Sequence, residues 1–355
     1  MLFYNLSVYT FPIRELYEMK TSNSISDIVG IKVGHAQDLD AATGCTVILC
    51  EKGAVGGVSQ RGGAPGTRET DLLRPMHLIE TVHAVMLSGG SAYGLDAAGG
   101  AMQYLEERKI GIDTGTAIVP IVPTAIIYDL AVGNADTRPD KEMGYKACSS
   151  SSSQKPNQGN WGAGTGATVG KIFGMGQAMK GGFGTSSMDV GGGLVLAAAA
   201  VVNPFGDVVD YRNREILAGA RGIKKLPIHI GEKGYFANTL SVMQTFIGKG
   251  ILSFASRSNT VIGVIATNAS LTKTEVNKLA DCASNGIALA VQPSFTMLDG
   301  DTVFGLSAGD KKIDANILFA HAPFVFADAI INAVLEAEEL GGLPAAKNHK
   351  LRKES

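Results

Sequence analysis

Charge is scarce in this 355-residue sequence: 18% of its positions are Asp, Glu, Lys or Arg, and they sum to a formal −2. With no basic surplus, neither nucleic acid nor an anionic membrane is an expected partner. Cysteine is scarce as well. Cys45, Cys50, Cys148 and Cys282 fall in no CxxC or metal-ligand spacing and read as buried thiols of a reducing cytoplasm. The six histidines include no HExxH, and the closest two, His77 and His83, do not share a helical face. No GxSxG elbow exists, so a serine triad is unmotivated. Residues 162–171 look like a phosphate loop until the spacing is checked. Thr165 stands where the first glycine belongs and Ile172 where the hydroxyl ligand belongs. As a dinucleotide fingerprint the same run lacks a preceding strand and an acidic partner, so no nucleotide cofactor is expected. Long apolar runs are missing too: residues 194–202 make about half a membrane span. The first twenty residues carry Arg14, Glu15, Glu18 and Lys20 without a continuous apolar core, which argues against a secretory signal.

What the sequence has is glycine and apolar residues. Forty-five glycines gather in short knots, marking tight turns and close backbone approach, and 45% of the chain is hydrophobic, enough for a sizeable core. Strand-like runs fall at 45–50, 84–87, 116–119, 194–202, 261–267 and 302–306. Helix-like stretches fall at 70–82, 92–107, 272–290 and 323–338. In the third, Val276, Leu279, Ala283 and Ile287 recur at helical steps, and Thr272 with Glu275 makes a capping-box start. Residues 149–166 and 231–258 read as loops. The alternation, with no internal repeat, predicts one mixed α/β domain.

Two short segments could carry chemistry. Polar residues 257–259 lead to Thr260 and at once into an apolar strand. If the bond before Thr260 is cut, the threonine gains an α-amine with a pKa of about 8, able to take the proton of its own hydroxyl. Asn238–Thr239 offers the same dipeptide. In Asp299-Gly300-Asp301, strand alternation would turn both carboxylates to one side; a solvated turn or a cation site are the other readings.

These segments belong to a longer series: Gly30 to His35, Thr43 to Ile48, Arg61-Gly-Gly-Ala-Pro-Gly-Thr-Arg-Glu-Thr-Asp71, Leu87-Ser-Gly-Gly-Ser-Ala-Tyr-Gly-Leu-Asp96, Val119-Pro-Ile-Val-Pro123, Tyr128-Asp129, Gly162-Ala-Gly-Thr-Gly166 with Lys171, and Asn203-Pro204. In this order they resemble the DmpA-type aminopeptidase family, N-terminal-nucleophile peptidases, over residues 26 to 340. Among its branches, the site motifs are most similar to the nylon-oligomer (6-aminohexanoate) endo-hydrolases. The resemblance implies an α/β fold, an αββα sandwich of the DmpA and ornithine-acetyltransferase type. It implies self-cleavage after Asn259 into a large subunit, 1–259, and a small one, 260–355, assembled as a tetramer or larger homo-oligomer, with no metal or cofactor. Residues 1–25 would be an extension and 341–355 a polar tail. By the same resemblance Thr260 is the nucleophile, Lys171 the catalytic lysine, Asn203 an oxyanion donor, Asp299 and Asp301 the two carboxylates, and Tyr128 a site hydroxyl. The family pattern often reads Asn-Thr-Thr at the cut, where this chain has Val261, and Phe295 to Leu298 is more apolar than expected. Small peptides or amides, of α-, β-, D-amino acids or 6-aminohexanoate, are the implied substrates. An acyltransferase of the ornithine-acetyltransferase type and an unprocessed binding protein are the competing readings.

Overall fold

A computed structural model describes residues 22–223, 234–245 and 259–348. Its centre is a nine-stranded sheet: β1 Lys32–Asp38, β2 Thr43–Gln60, β3 Thr67–Arg68, β4 Thr81–Ser88, β5 Thr124–Ile126, β6 Gly182–Asp189, β7 Val195–Asn203, β8 Thr260–Ala269 and β9 Thr302–Lys311. The spatial order is β6-β7-β8-β9-β2-β4-β5-β3, with β1 also paired to β2. Neighbours are antiparallel except β8 with β9 and β4 with β5.

The long β2 folds this one sheet into two layers, its first half pairing with β4 and its second half with β9, with a register shift between Leu49 and Ala54. In β7, Ala198, Ala200 and Val202 enter one apolar core while Ala197, Ala199 and Val201 enter another. β8 divides likewise, Val261 and Ile265 against Ile262, Val264 and Ala266. Strands buried on both faces read as unbroken apolar runs, and these two do. The first core is closed by helices α4 Lys273–Ala290 and α5 Ala315–Leu335, through Val276, Leu279, Leu318, Phe326 and Ile330. The second core joins β7 and β8 to Ile48, Val85 and Leu87 of β2 and β4. The opposite face of β2 and β4, with Val47, Leu49, Ala84 and Met86, is covered by α1 Ala97–Glu106 and α2 Lys141–Ser149. The result is an αββα sandwich. β2 runs through both layers: its first half lies beside α2, and its second half, at Gly57, approaches the backbone of α4 too closely to admit a Cβ.

The expected strands at 45–50, 84–87, 261–267 and 302–306 lie inside β2, β4, β8 and β9, 194–202 matches β7 but for Leu194, which precedes it, and 116–119 shrinks to a two-residue strand at Ile118–Val119. The capping box is present: Thr272 Oγ1 accepts from Glu275 N, and Glu275 accepts from Thr272 N. The expected helix at 70–82 is not one. Only Asp71–Leu73 forms a 3-10 turn, because Pro75 cannot donate within a helix, and Thr81 already begins β4. The last helix starts earlier than expected, at Ala315, and carries Pro323 inside it. It is the one described helix long and apolar enough to cross a membrane, and Leu318, Ala322, Phe326, Ala329 and Ile330 place it in the core. Of the expected loop at 231–258, residues 234–245 are described and include a short helix, α3, Thr239–Gln244; the rest lies outside the described residues. Ser24 and Ile25 pack onto the fold, the Ile25 N–H donating to Thr185 Oγ1 at 2.7 Å.

Candidate active site

Four strand ends meet at one end of the sheet. Asn203 closes β7 and Thr260 opens β8, and the antiparallel register sets them opposite each other. Because β8 and β9 are parallel, the residues before β9 run beside those before β8, and Asn259 bridges to Asp299. The segment after β2 folds over the same turn: Arg61 N donates to Asp301 O at 3.1 Å and Ala64 N to Asp299 O at 2.8 Å. At Gly62 a Cβ would collide with Asp299 O and Asp301 N, which explains a glycine in the Arg-Gly-Gly-Ala string.

The peptide between Asn259 and Thr260 is held on several sides. Thr260, 5% exposed, donates its hydroxyl to the Asn259 carbonyl oxygen. Gly300 N donates to that same oxygen at 2.9 Å. Gly300 leaves room for this contact; a Cβ there would stand 2.9 Å from Thr260 Oγ1 and 2.7 Å from Ala64 O. One residue on, Val261 N donates to Asp301 Oδ1 at 2.7 Å.

The two carboxylates have separate hydrogen-bond donors. They precede β9 rather than lie in it. Asp299 Oδ2 accepts from Thr296 N at 2.8 Å and Thr296 Oγ1 at 2.7 Å. Asp301 accepts from Val261 N and, at 3.2 Å, from Phe295 N. Burial, then the neighbouring charge of Asp299, pushes Asp301 up to about 7, against the pull of those two N–H groups. Burial also raises Asp299, opposed by Thr296 and by Lys171.

Lys171 and Asn203 form the opposite wall. Lys171 Nζ donates to Asn203 O and to Asn203 Oδ1, both at 2.9 Å. Burial lowers this lysine to about 7, partly countered by Asp299 and Asp129, while Lys180 pushes the same way as burial. Asn203 Oδ1 also accepts from Thr168 N at 2.9 Å and Thr168 Oγ1 at 3.1 Å. Three donors on one oxygen fix which end of the amide is which, and Nδ2 donates to Tyr128 O at 3.1 Å. Tyr128 therefore reaches the site through its carbonyl. The expected role for its hydroxyl has no described hydrogen bond behind it.

Thr239, the other threonine after an asparagine, sits at a helix start. Its N–H and hydroxyl both donate to Asp207, at 2.6 and 2.8 Å. Among the described residues no cluster of three or more His, Cys, Asp or Glu could hold a metal ion.

Sequence reasoning missed Gly300 as a backbone donor, Thr168 and Thr296 as side-chain donors, and two buried charges, Asp129 and Lys180. The glycine knots were the available signal, since Gly89 and Gly166 both lie against the Asp129 carboxylate.

The model of Peptidase family S58 matches residues 23–347. A protein of Mycobacterium leprae named as an uncharacterized aminopeptidase is 40% identical, covering 91% of this chain and 92% of its own. A 6-aminohexanoate-oligomer endohydrolase of Kocuria sp. is 30% identical, covering 86% and 84%. Among solved structures, the L-aminopeptidase D-Ala-esterase/amidase of Ochrobactrum anthropi, described as a variant of the Ntn hydrolase fold, superposes with a TM-score of 0.68. It covers 96% of this chain and 98% of its own at 18% identity.

Proposed function

The chain belongs to peptidase family S58, and on that premise we propose that it is an amide-bond hydrolase whose nucleophile, Thr260, is released by self-cleavage after Asn259. The observation that carries this reading is the Asn259 carbonyl, which accepts from the Gly300 N–H and from the hydroxyl of the very next residue. These two contacts support attack by the Thr260 hydroxyl on this carbonyl, with the Gly300 N–H as a donor to the oxygen on which charge would develop.

In the first step Thr260 Oγ1 adds to the Asn259 carbonyl carbon, and negative charge grows on an oxygen that Gly300 already contacts. Asp301 or Asp299 accepts the hydroxyl proton. The carbon–nitrogen bond breaks, the Thr260 nitrogen takes a proton, and an ester remains. Water then opens the ester, leaving Asn259 with a carboxylate and Thr260 with a free amine and hydroxyl.

In turnover that amine accepts the proton of its own hydroxyl. The hydroxyl attacks a substrate carbonyl, and the Asn203 amide, opposite Thr260 in the ladder, donates to the oxyanion. The leaving amine departs with a proton, and water resolves the acyl-enzyme. The Lys171 charge favours the unprotonated Thr260 amine. Relatives named as an aminopeptidase and as an oligomer endohydrolase support short peptides or amino-acid oligomers as substrates. Four free thiols support a reducing, cytoplasmic setting, and assembly of the two fragments into a homo-oligomer belongs to the same proposal.

The test is a denaturing gel with N-terminal sequencing of the smaller band. A band beginning Thr-Val-Ile-Gly supports Thr260. One beginning Thr-Leu-Ser-Val moves the site to Thr239, and a permanently uncut chain without amidase activity sinks the reading. Acyl-enzyme turnover that is slow in water and quickened by amine acceptors would favour a transferase instead.

A further inference from the structure

Behind Asn203 lie two charges that the proposed reaction does not use. Lys180 is fully buried at the end of a two-residue ribbon, Met179–Lys180 paired with Thr168–Val169. Among the described residues its ammonium meets no carboxylate directly; Nζ donates to Thr165 O at 2.6 Å and Ala167 O at 2.7 Å. Those carbonyls flank Gly166, and the next residue is Thr168, whose N–H and hydroxyl hold Asn203 Oδ1.

On the other side of the amide stands Asp129. Its carboxylate, 3% exposed by residue, accepts from Gly90 N at 2.7 Å and Thr43 Oγ1 at 2.7 Å. This anchors the peptide that joins Tyr128 to Asp129, and the carbonyl of that peptide takes the Asn203 Nδ2 hydrogen. The two anchors meet at glycine. A Cβ on Gly166 would stand 2.7 Å from Asp129 Oδ2, and one on Gly89 would collide with the same oxygen. The Ser-Gly-Gly-Ser and Gly-Ala-Gly-Thr-Gly knots are thus two walls closing on one carboxylate. Lys180 and Asp129 attract each other through the interior.

We propose that Lys180 and Asp129 are positioning residues: through the Thr165–Thr168 turn and the Tyr128 carbonyl they lock both ends of the Asn203 amide, so that its N–H, not its carbonyl, is held toward Thr260. An amide turned end for end would present an acceptor where the oxyanion forms and repel it. Burying an ammonium and a carboxylate is costly when neutral packing could fill the same space. The two contacts on each charge give that cost a use. This inference rests on Thr260 as the nucleophile.

The test compares Thr168→Val, Thr168→Ser and Lys180→Met in the full chain, with aminoacyl p-nitroanilides and a 6-aminohexanoate trimer as probes. Thr168→Val removes one donor from Asn203 Oδ1 at nearly constant shape. The expected result is kcat lower by about tenfold with KM within about twofold, as for loss of one positioned hydrogen bond. Thr168→Ser should recover most of kcat, and Lys180→Met should lose more than Thr168→Val. Crystal structures of Thr168→Val and, if it folds, Lys180→Met should show the Asn203 amide rotated or split between two orientations. Wild-type kcat in a folded Thr168→Val, or an Asn203 amide that keeps one orientation in that variant, overturns the proposal. Turnover that survives Thr260→Ala would instead overturn the nucleophile, and the Asn203 orientation would still decide the positioning role.

Discussion

Asn203 and Thr260 face each other across the β7–β8 ladder, one the last residue of its strand and the other the first of its own. Backbone pairing alone therefore brings a side-chain amide beside a hydroxyl from a distant part of the chain. Both residues sit on paired strands of the sheet, which hold a site more closely than loops do. Replacing Thr260 with Ala should leave the chain uncut and lower amide turnover by on the order of a thousandfold or more. Thr260→Ser should still cut, more slowly, as followed by gel and by release of p-nitroaniline.

Gly300 gives the second prediction. Ala at this position would drive a methyl into Thr260 Oγ1 and Ala64 O, pushing the Gly300 N–H off the Asn259 carbonyl. Self-cleavage should slow by about tenfold or more, since a misplaced oxyanion donor costs that much or more. A time course of precursor made by cell-free synthesis reads the rate. An unchanged rate would remove Gly300 from the reaction.

Asp301 sets the third. Only its ionised form can accept the Thr260 proton, and burial holds its pKa up at about 7. The rate of self-cleavage should therefore climb as pH rises through about 7 and level off above it. Asp301→Asn should abolish the climb. If Asp299→Ala and Asp301→Ala precursors both process at the normal rate, neither carboxylate is the base.

Lys171 makes stability depend on pH in the opposite range. Its pKa falls from 10.5 to about 7 on folding, so between those values the unfolded chain binds more protons than the folded one. Its contribution is fully present above 10.5 and is lost as pH falls through about 7. Over that window stability should rise with pH by up to about 1.4 kcal/mol per unit from this group. Urea denaturation of wild type and Lys171→Met at several pH values should show the slope difference, with the variant flatter.

Phe326 tests the packing beneath the site. Its ring, fully buried on α5, lies against Gly263 of β8, where a Cβ would approach it to 2.7 Å. Phe326→Ala should cost roughly 3–5 kcal/mol, measured by denaturant unfolding.

Periodicity made the two-sided strands and the capped helix readable, because β7, β8 and α4 each obey a single local rule. It misread 70–82, where apolar residues at helical steps surround Pro75, and Met76 and Leu78 end up exposed. It also shortened β2, since Glu51, Lys52 and Gly53 look like a stop but mark where the strand passes between layers. At the site, residue types were legible and partners were not. Asp299 and Asp301 were readable as a pair, but their directions depend on the 61–64 segment and on Thr296, neither adjacent to them in a strand. Lys180 carried no local signal at all, because its contacts to Thr165 and Ala167 arise from a ribbon that only the fold creates.

The strand order carries a mechanical consequence. β8 and β9, from the segment after Thr260, are threaded between β7 and β2, from the segment before Asn259. A break between Asn259 and Thr260 would leave the two pieces interleaved like fingers of clasped hands. Neither could slip away without tearing two ladders at once, so the severed molecule would unfold as one body and would not trade its halves with another copy.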